Sequence, residues 1–100
     1  MKILLVNDDG YDAPGIRVLY EHLKEIAEVN LVAPLSQRSG FGMGLTVFKP
    51  LSVKAFELAP QKTGYAVNGT PVDCVKLGLS TLFTDTPDLV ISGINLGANV

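Results

Sequence analysis

The apolar positions of this chain fall in short blocks, each closed by polar or turn-forming residues. Ile3 to Val6 is an unbroken apolar run ended by Asn7, Asp8, Asp9 and Gly10, which predicts a short strand buried on both faces. Pro14 suits the first turn of a helix, where its missing N–H costs nothing. Ile16, Leu19, Leu23 and Ile26 then recur at helical spacing and predict one apolar helix face. "VNLVA", from Val29 to Ala33, predicts a second strand stopped by Pro34. Strand, helix and strand within about thirty residues make a βαβ unit, whose crossover requires a parallel pair.

Leu35 to Gly44 reads "LSQRSGFGMG", a loop with no periodic apolar face. Next come "LTVF" (45–48), "LSVKAFEL" (51–58) and "YAVNG" (65–69), with "APQKTG" as a turn between the last two, so a hairpin-like excursion is expected. "TPVDCVKLGLSTLF" (70–83) predicts a second helix, with Thr70 as cap, Pro71 in the first turn and Asp73 completing a capping box. Its expected buried face is Val72, Val75, Leu79 and Leu82. Leu89 to Ser92 predicts a last buried strand, running into "GINLGAN". The fold class expected is α/β, a mostly parallel sheet with flanking helices and a small β-hairpin excursion.

Composition narrows the function. With 100 residues and 47% hydrophobic content, the chain is large enough for one small core but not for two domains. No internal repeat or linker divides it. A net charge of −2 without a run of Lys or Arg gives no footprint for a nucleic acid polymer, so any nucleotide partner is small. Cys74 is the single cysteine, which excludes an internal disulfide and a structural zinc site. The N-terminal apolar run is too short for a signal peptide or a membrane span, so a cytoplasmic protein without a membrane partner is expected.

Chemistry concentrates at the strand ends. In an open parallel sheet, ligands collect beyond the carboxyl ends of the strands, where loops from neighbouring strands meet. The first strand ends in Asn7, Asp8 and Asp9, the second leads into Ser36 to Gly40, and the last ends in Ser92, Gly93 and Asn95. Carboxylates, a hydroxyl and an amide carbonyl are hard ligands, suited to Mg²⁺, Mn²⁺ or Ca²⁺ rather than zinc or copper. Taken alone, Asp8 and Asp9 equally suit a turn, with Asp12 favouring the helix N-terminus. Ser39 alone reads as a loop hydroxyl, and Asn95 and Asn99 as turn residues. "GFGMG" does not sit between a strand and a helix, so it is not a dinucleotide fingerprint. His22 reads as a surface or boundary residue, Cys74 as a small packed side chain, and Thr70 as a plain cap rather than an anion site.

"NDDG" followed by "APG", then "SG", "GTPVDCV" and "PDLVISGINLGAN" occur here in an order that resembles the survival protein E (SurE) family of nucleotidases. The resemblance covers nearly the whole chain. It implies a Rossmann-like fold, one divalent cation (Mg²⁺ or Mn²⁺ first, then Ca²⁺) and hydrolysis of nucleoside 5′- and 3′-monophosphates, with polyphosphate as a further substrate. It also implies a cytoplasmic homodimer or homotetramer. Carried over by motif, the metal ligands fall on Asp8, Asp9, Ser39 and Asn95, with Ser39 and Gly40 steadying phosphate and Asp8 or Asp9 handling the attacking water.

Members of that family are longer, so residues 1–100 are expected to be the N-terminal part of a single domain. The strand Leu89 to Ser92 has no following helix to cover one face, and the chain made alone is expected to be poorly active and prone to associate or unfold. Two other readings compete. A non-catalytic metal- or nucleotide-binding piece fits the same residues. A receiver-like signalling domain also carries paired acids after its first strand, but needs a phospho-accepting aspartate on a later strand, where this chain has Gly93.

Overall fold

A computed structural model describes residues 1–36 and 51–95. The expected strand "LTVF", the loop residues Ser39 and Gly40, and Asn99 lie outside the described residues. The elements are β1 (Lys2–Val6), α1 (Pro14–Leu23), β2 (Glu28–Pro34), β3 (Val53–Ala59), β4 (Lys62–Val67), α2 (Pro71–Ser80) and β5 (Leu89–Ser92). They form a five-stranded sheet of order β3-β4-β2-β1-β5. The β1–β2, β1–β5 and β2–β4 pairs are parallel, and β3 joins β4 antiparallel as the expected hairpin. Gln61, in its turn, takes a positive φ of 61°. Among the described residues no helix is long and apolar enough to cross a membrane.

The unbroken apolar run of β1 follows from its central place. Ile3 and Leu5 face a core containing Ile16 and Tyr20 of α1, while Leu4 and Val6 face a second core containing Cys74 of α2. Helices therefore cover both faces, and a strand in that position has no solvated side on which polar residues would alternate. Burial also pushes the Cys74 thiol up to about 12, because the thiolate is poorly solvated there.

Both helices differ in part from the sequence expectation. α1 ends at Leu23, and Ile26 lies beyond it and is 74% exposed. Its buried contact is made by Ile16 and Tyr20, one turn apart, with Leu19 and Leu23 flanking them. In α2 half of the expected face is turned outward, with Val72 61% and Leu79 48% exposed, while Val75 and Leu82 pack against the second core. The fully buried positions of the helix are Cys74 and Gly78. The reason is distance: a Cβ on Gly78 would lie 2.7 Å from Leu4 Cδ1, so only a helix lined with small residues can settle this close to β1.

That contact gives a test of sign. In an exposed helix interior, Gly to Ala stabilises by about 1 kcal/mol. Gly78→Ala is expected to destabilise instead, by about 1–3 kcal/mol, since the added methyl overpacks a core with no room. Urea unfolding of the two proteins measures this directly, and a stabilised variant would refute the packing argument.

β5 is the least covered strand. It pairs with β1, and Leu89 and Val90 are 47% and 41% exposed while Ile91 packs beside the first core. The fully buried expectation for this strand therefore fails at Leu89 and Val90 among the described residues.

Candidate functional site

Chain order runs outward from β1 through β2 to β4, then returns to β5 on the other side of β1. The crevice beyond the carboxyl ends of β1 and β5 is thus the place where strand order reverses, which is where open α/β sheets bind ligands. Asp8 follows β1 and Asn95 follows β5, and the structure brings them together. The Asp8 backbone N–H donates to Asn95 Oδ1 at 3.1 Å, and Asn95 Nδ2 donates to Asp8 Oδ2 at 3.2 Å. Residues 87 apart in the chain thereby make a two-bond ring across the seam between strands.

The parallel register explains why they meet. Val6 is opposite Ser92, and the Gly93 N–H continues the ladder by donating to Val6 O at 2.9 Å. Gly93 has φ +153°, a conformation side chains rarely adopt, and it turns the chain just before Asn95. Gly15, in the first turn of α1, lies against the chain that follows β5. A Cβ there would collide with the carbonyl oxygen of Ile94, so the helix start lies directly against the residue preceding Asn95.

Asn7 is the residue to which sequence reasoning gave no role. It is fully buried and its side chain folds the turn from inside: Nδ2 donates to Gly10 O at 2.8 Å, and Oδ1 accepts from Gly10 N–H at 3.1 Å. Asp8 and Asp9 are the two residues enclosed by that ring, and so both are projected from a braced backbone. The available signal was an Asn at a strand end with Gly three positions later, a pattern in which the side-chain amide mimics a turn. Gly10 itself, at φ +118°, lies close to the Cα of Ser36, so the second loop starts beside the turn.

The donor set is chemically hard. It comprises the exposed Asp8 carboxylate, the half-buried Asp9 carboxylate and the Asn95 carbonyl oxygen, which has a second lone pair beyond the one used by Asp8 N–H. Among the described residues no three His, Cys, Asp or Glu side chains gather. What meets at the seam is therefore the Asp8 carboxylate and the Asn95 amide, with Asp9 the next residue of the turn, and oxygen donors of this kind suit Mg²⁺, Mn²⁺ or Ca²⁺.

Other candidates take the plainer role. Thr70 caps α2: its Oγ1 accepts from Asp73 N–H at 3.2 Å and its N–H donates to Asp73 Oδ2 at 2.9 Å, which completes the expected capping box and uses the groups an anion would need. His22 is exposed and lies 2.9 Å from Val18 O through Nδ1. Cys74 is fully buried.

Known proteins agree with this architecture. The family model described as Survival protein SurE matches residues 3–100. A 5′-nucleotidase SurE of Desulfovibrio desulfuricans is 54% identical over 101 residues, covering all of this chain and 39% of the relative. One of Methanocaldococcus jannaschii is 48% identical over 103 residues, again covering the whole chain and 39% of the relative. The crystal structure of the SurE protein from Aquifex aeolicus superposes with a TM-score of 0.75 at 44% identity, covering 100% of this chain and 40% of that one. The chain thus spans about two fifths of the length of the relatives it matches. With a family match running from Ile3 to Val100 and relatives near half identity along its entire length, the chain belongs to the survival protein SurE family.

Proposed function

We propose that the chain carries the metal-binding part of a divalent-cation-dependent phosphomonoesterase acting on nucleoside 5′-monophosphates, with 3′-monophosphates and polyphosphate as further substrates. The observation that carries this reading is the Asp8–Asn95 ring at the point where strand order reverses. The relatives' name, 5′-nucleotidase, supports the substrate class. Residues 1–100 are on this reading the N-terminal part of a single domain that works in the cytoplasm as a homodimer or homotetramer.

Asp8, Asp9, Asn95 and Ser39 would hold one Mg²⁺ or Mn²⁺. Such a cation, when bound, neutralises phosphate charge and acidifies water. Asn95 Nδ2 fixes one oxygen of Asp8, which leaves the other oxygen of that carboxylate directed by the same hydrogen bond. Asp8 or Asp9 orients the water that attacks phosphorus and takes its proton. Ser39 and the Gly40 N–H steady the phosphate oxygens, a role supported by the start of their loop at Ser36 beside Gly10. No protein nucleophile is required.

Phosphate release from nucleoside monophosphates by the full-length protein should require Mn²⁺ or Mg²⁺ and cease in excess EDTA. Full turnover under chelation would rule this function out.

A further inference from the structure

We infer that Phe56 and Arg17 are positioning residues for the Asp8–Asp9 turn, through which the β3–β4 hairpin braces the metal-binding end of the sheet. The inference rests on the proposed reading of Asp8 and Asp9 as cation ligands.

Gly64 sets the position of the Phe56 ring. The two residues are opposite each other in the antiparallel register, and a Cβ on Gly64 would lie 2.5 Å from Phe56 Cζ and 3.0 Å from each Cε. The ring therefore lies across the glycine, in space that any side chain at residue 64 would occupy. From there it reaches out of the hairpin toward α1. Its centroid is 4.8 Å from that of Tyr11, with the rings inclined at 49°, and the Arg17 guanidinium carbon is 5.3 Å from the same centroid. Both contacts need the π face, which attracts a cation and favours a tilted neighbour.

Tyr11 is where this brace meets the turn. It follows Gly10 directly, and its N–H donates to Pro34 O at 2.8 Å while its carbonyl accepts from Arg17 Nε at 3.3 Å. Its ring is held by Phe56, so backbone and side chain are fixed together. The turn is then secured at its entry by Asn95 on Asp8 N–H, in its interior by Asn7 on Gly10, and at its exit by Arg17 and Phe56 on Tyr11. Loosening the exit lets Asp9, two residues away, spread over more backbone positions, and a cation site loses affinity when its ligands are no longer pre-placed.

Three variants of the full-length protein test this: Phe56→Leu, which keeps apolar bulk without a ring; Arg17→Met, which keeps the stem without the guanidinium; and Gly64→Ala, which displaces the ring without touching the turn. Mn²⁺ affinity is read from the electron paramagnetic resonance signal of the free ion, with thermal unfolding recorded in parallel. Each variant is expected to weaken Mn²⁺ binding about 3–10-fold, below the roughly 10–100-fold range of groups bonded directly to metal ligands. Phosphate release should need correspondingly more Mn²⁺, while kcat at saturating Mn²⁺ stays near that of the wild type. Should Phe56→Leu fail to fold, Arg17→Met decides the question. Wild-type Mn²⁺ affinity in a folded Phe56→Leu or in Arg17→Met overturns the brace while leaving the cation site standing. Absence of Mn²⁺ binding by the wild type overturns both.

Discussion

Asp8→Asn and Asp9→Asn are each expected to weaken Mn²⁺ binding by more than about 100-fold, the upper end of what losing a group outside the ligand set costs. The substitution removes a unit of charge but almost no shape. Asn at residue 8 can still accept the bond from Asn95 Nδ2, and its backbone N–H still reaches Asn95 Oδ1, so the ring across the seam survives. Charge is what a hard divalent cation needs most from a small oxygen site, because it must be repaid for the water it sheds. Thermal unfolding of the metal-free proteins should stay within about 0.5 kcal/mol of wild type, the usual range for a substitution that breaks no contact. Unchanged Mn²⁺ affinity in both variants would remove these residues from the site.

Asn7→Ala should be the more damaging change to the fold. It deletes two hydrogen bonds in a fully buried position, and the partners do not fare equally. Gly10 O keeps a bond from Ala13 N–H at 3.2 Å, whereas Gly10 N–H loses Asn7 Oδ1 as its acceptor. A lost bond costs about 0.5–1.5 kcal/mol and a buried unmatched group about 1–3 kcal/mol, so a destabilisation of about 2–4 kcal/mol is expected. Urea unfolding gives the value, and a cost under about 0.5 kcal/mol would show that water replaces the side chain freely. Mn²⁺ binding should weaken as well, because the two carboxylates then stand on an unbraced turn.

The sequence was most informative where a local pattern determines the outcome. The Leu89–Ser92 strand and the Thr70–Asp73 capping box are read from adjacent residues and appear where expected. Asp8 and Asn95 were also legible as partners, because a parallel sheet brings strand ends together whatever the intervening chain. The face of α2 was legible only in part. Val75 and Leu82 pack against the second core as expected, but Leu4 excludes large side chains from the closest approach, which falls to Cys74 and Gly78. Phe56 shows the same limit: alternation in β3 says which way it points, but only the packed structure shows Tyr11 and Arg17 waiting there. Helical period and strand alternation describe one element at a time, and these positions are decided between elements.

The seam between β1 and β5 has a dynamic consequence. β5 is a four-residue strand that among the described residues hydrogen-bonds along one side only, through Asp88, Gly93 and the β1 ladder. Short, one-sided, half-solvated strands open at a smaller free-energy cost than the core they adjoin. Asn95 travels with β5, so every such opening pulls a proposed ligand away from Asp8. A cation bound across the seam favours the closed state by mass action, and the amide hydrogens of Leu89 to Gly93 would exchange with solvent more slowly as cation concentration rises. Occupancy of the proposed site and the pairing of β5 with β1 are thus one equilibrium, observed at two places.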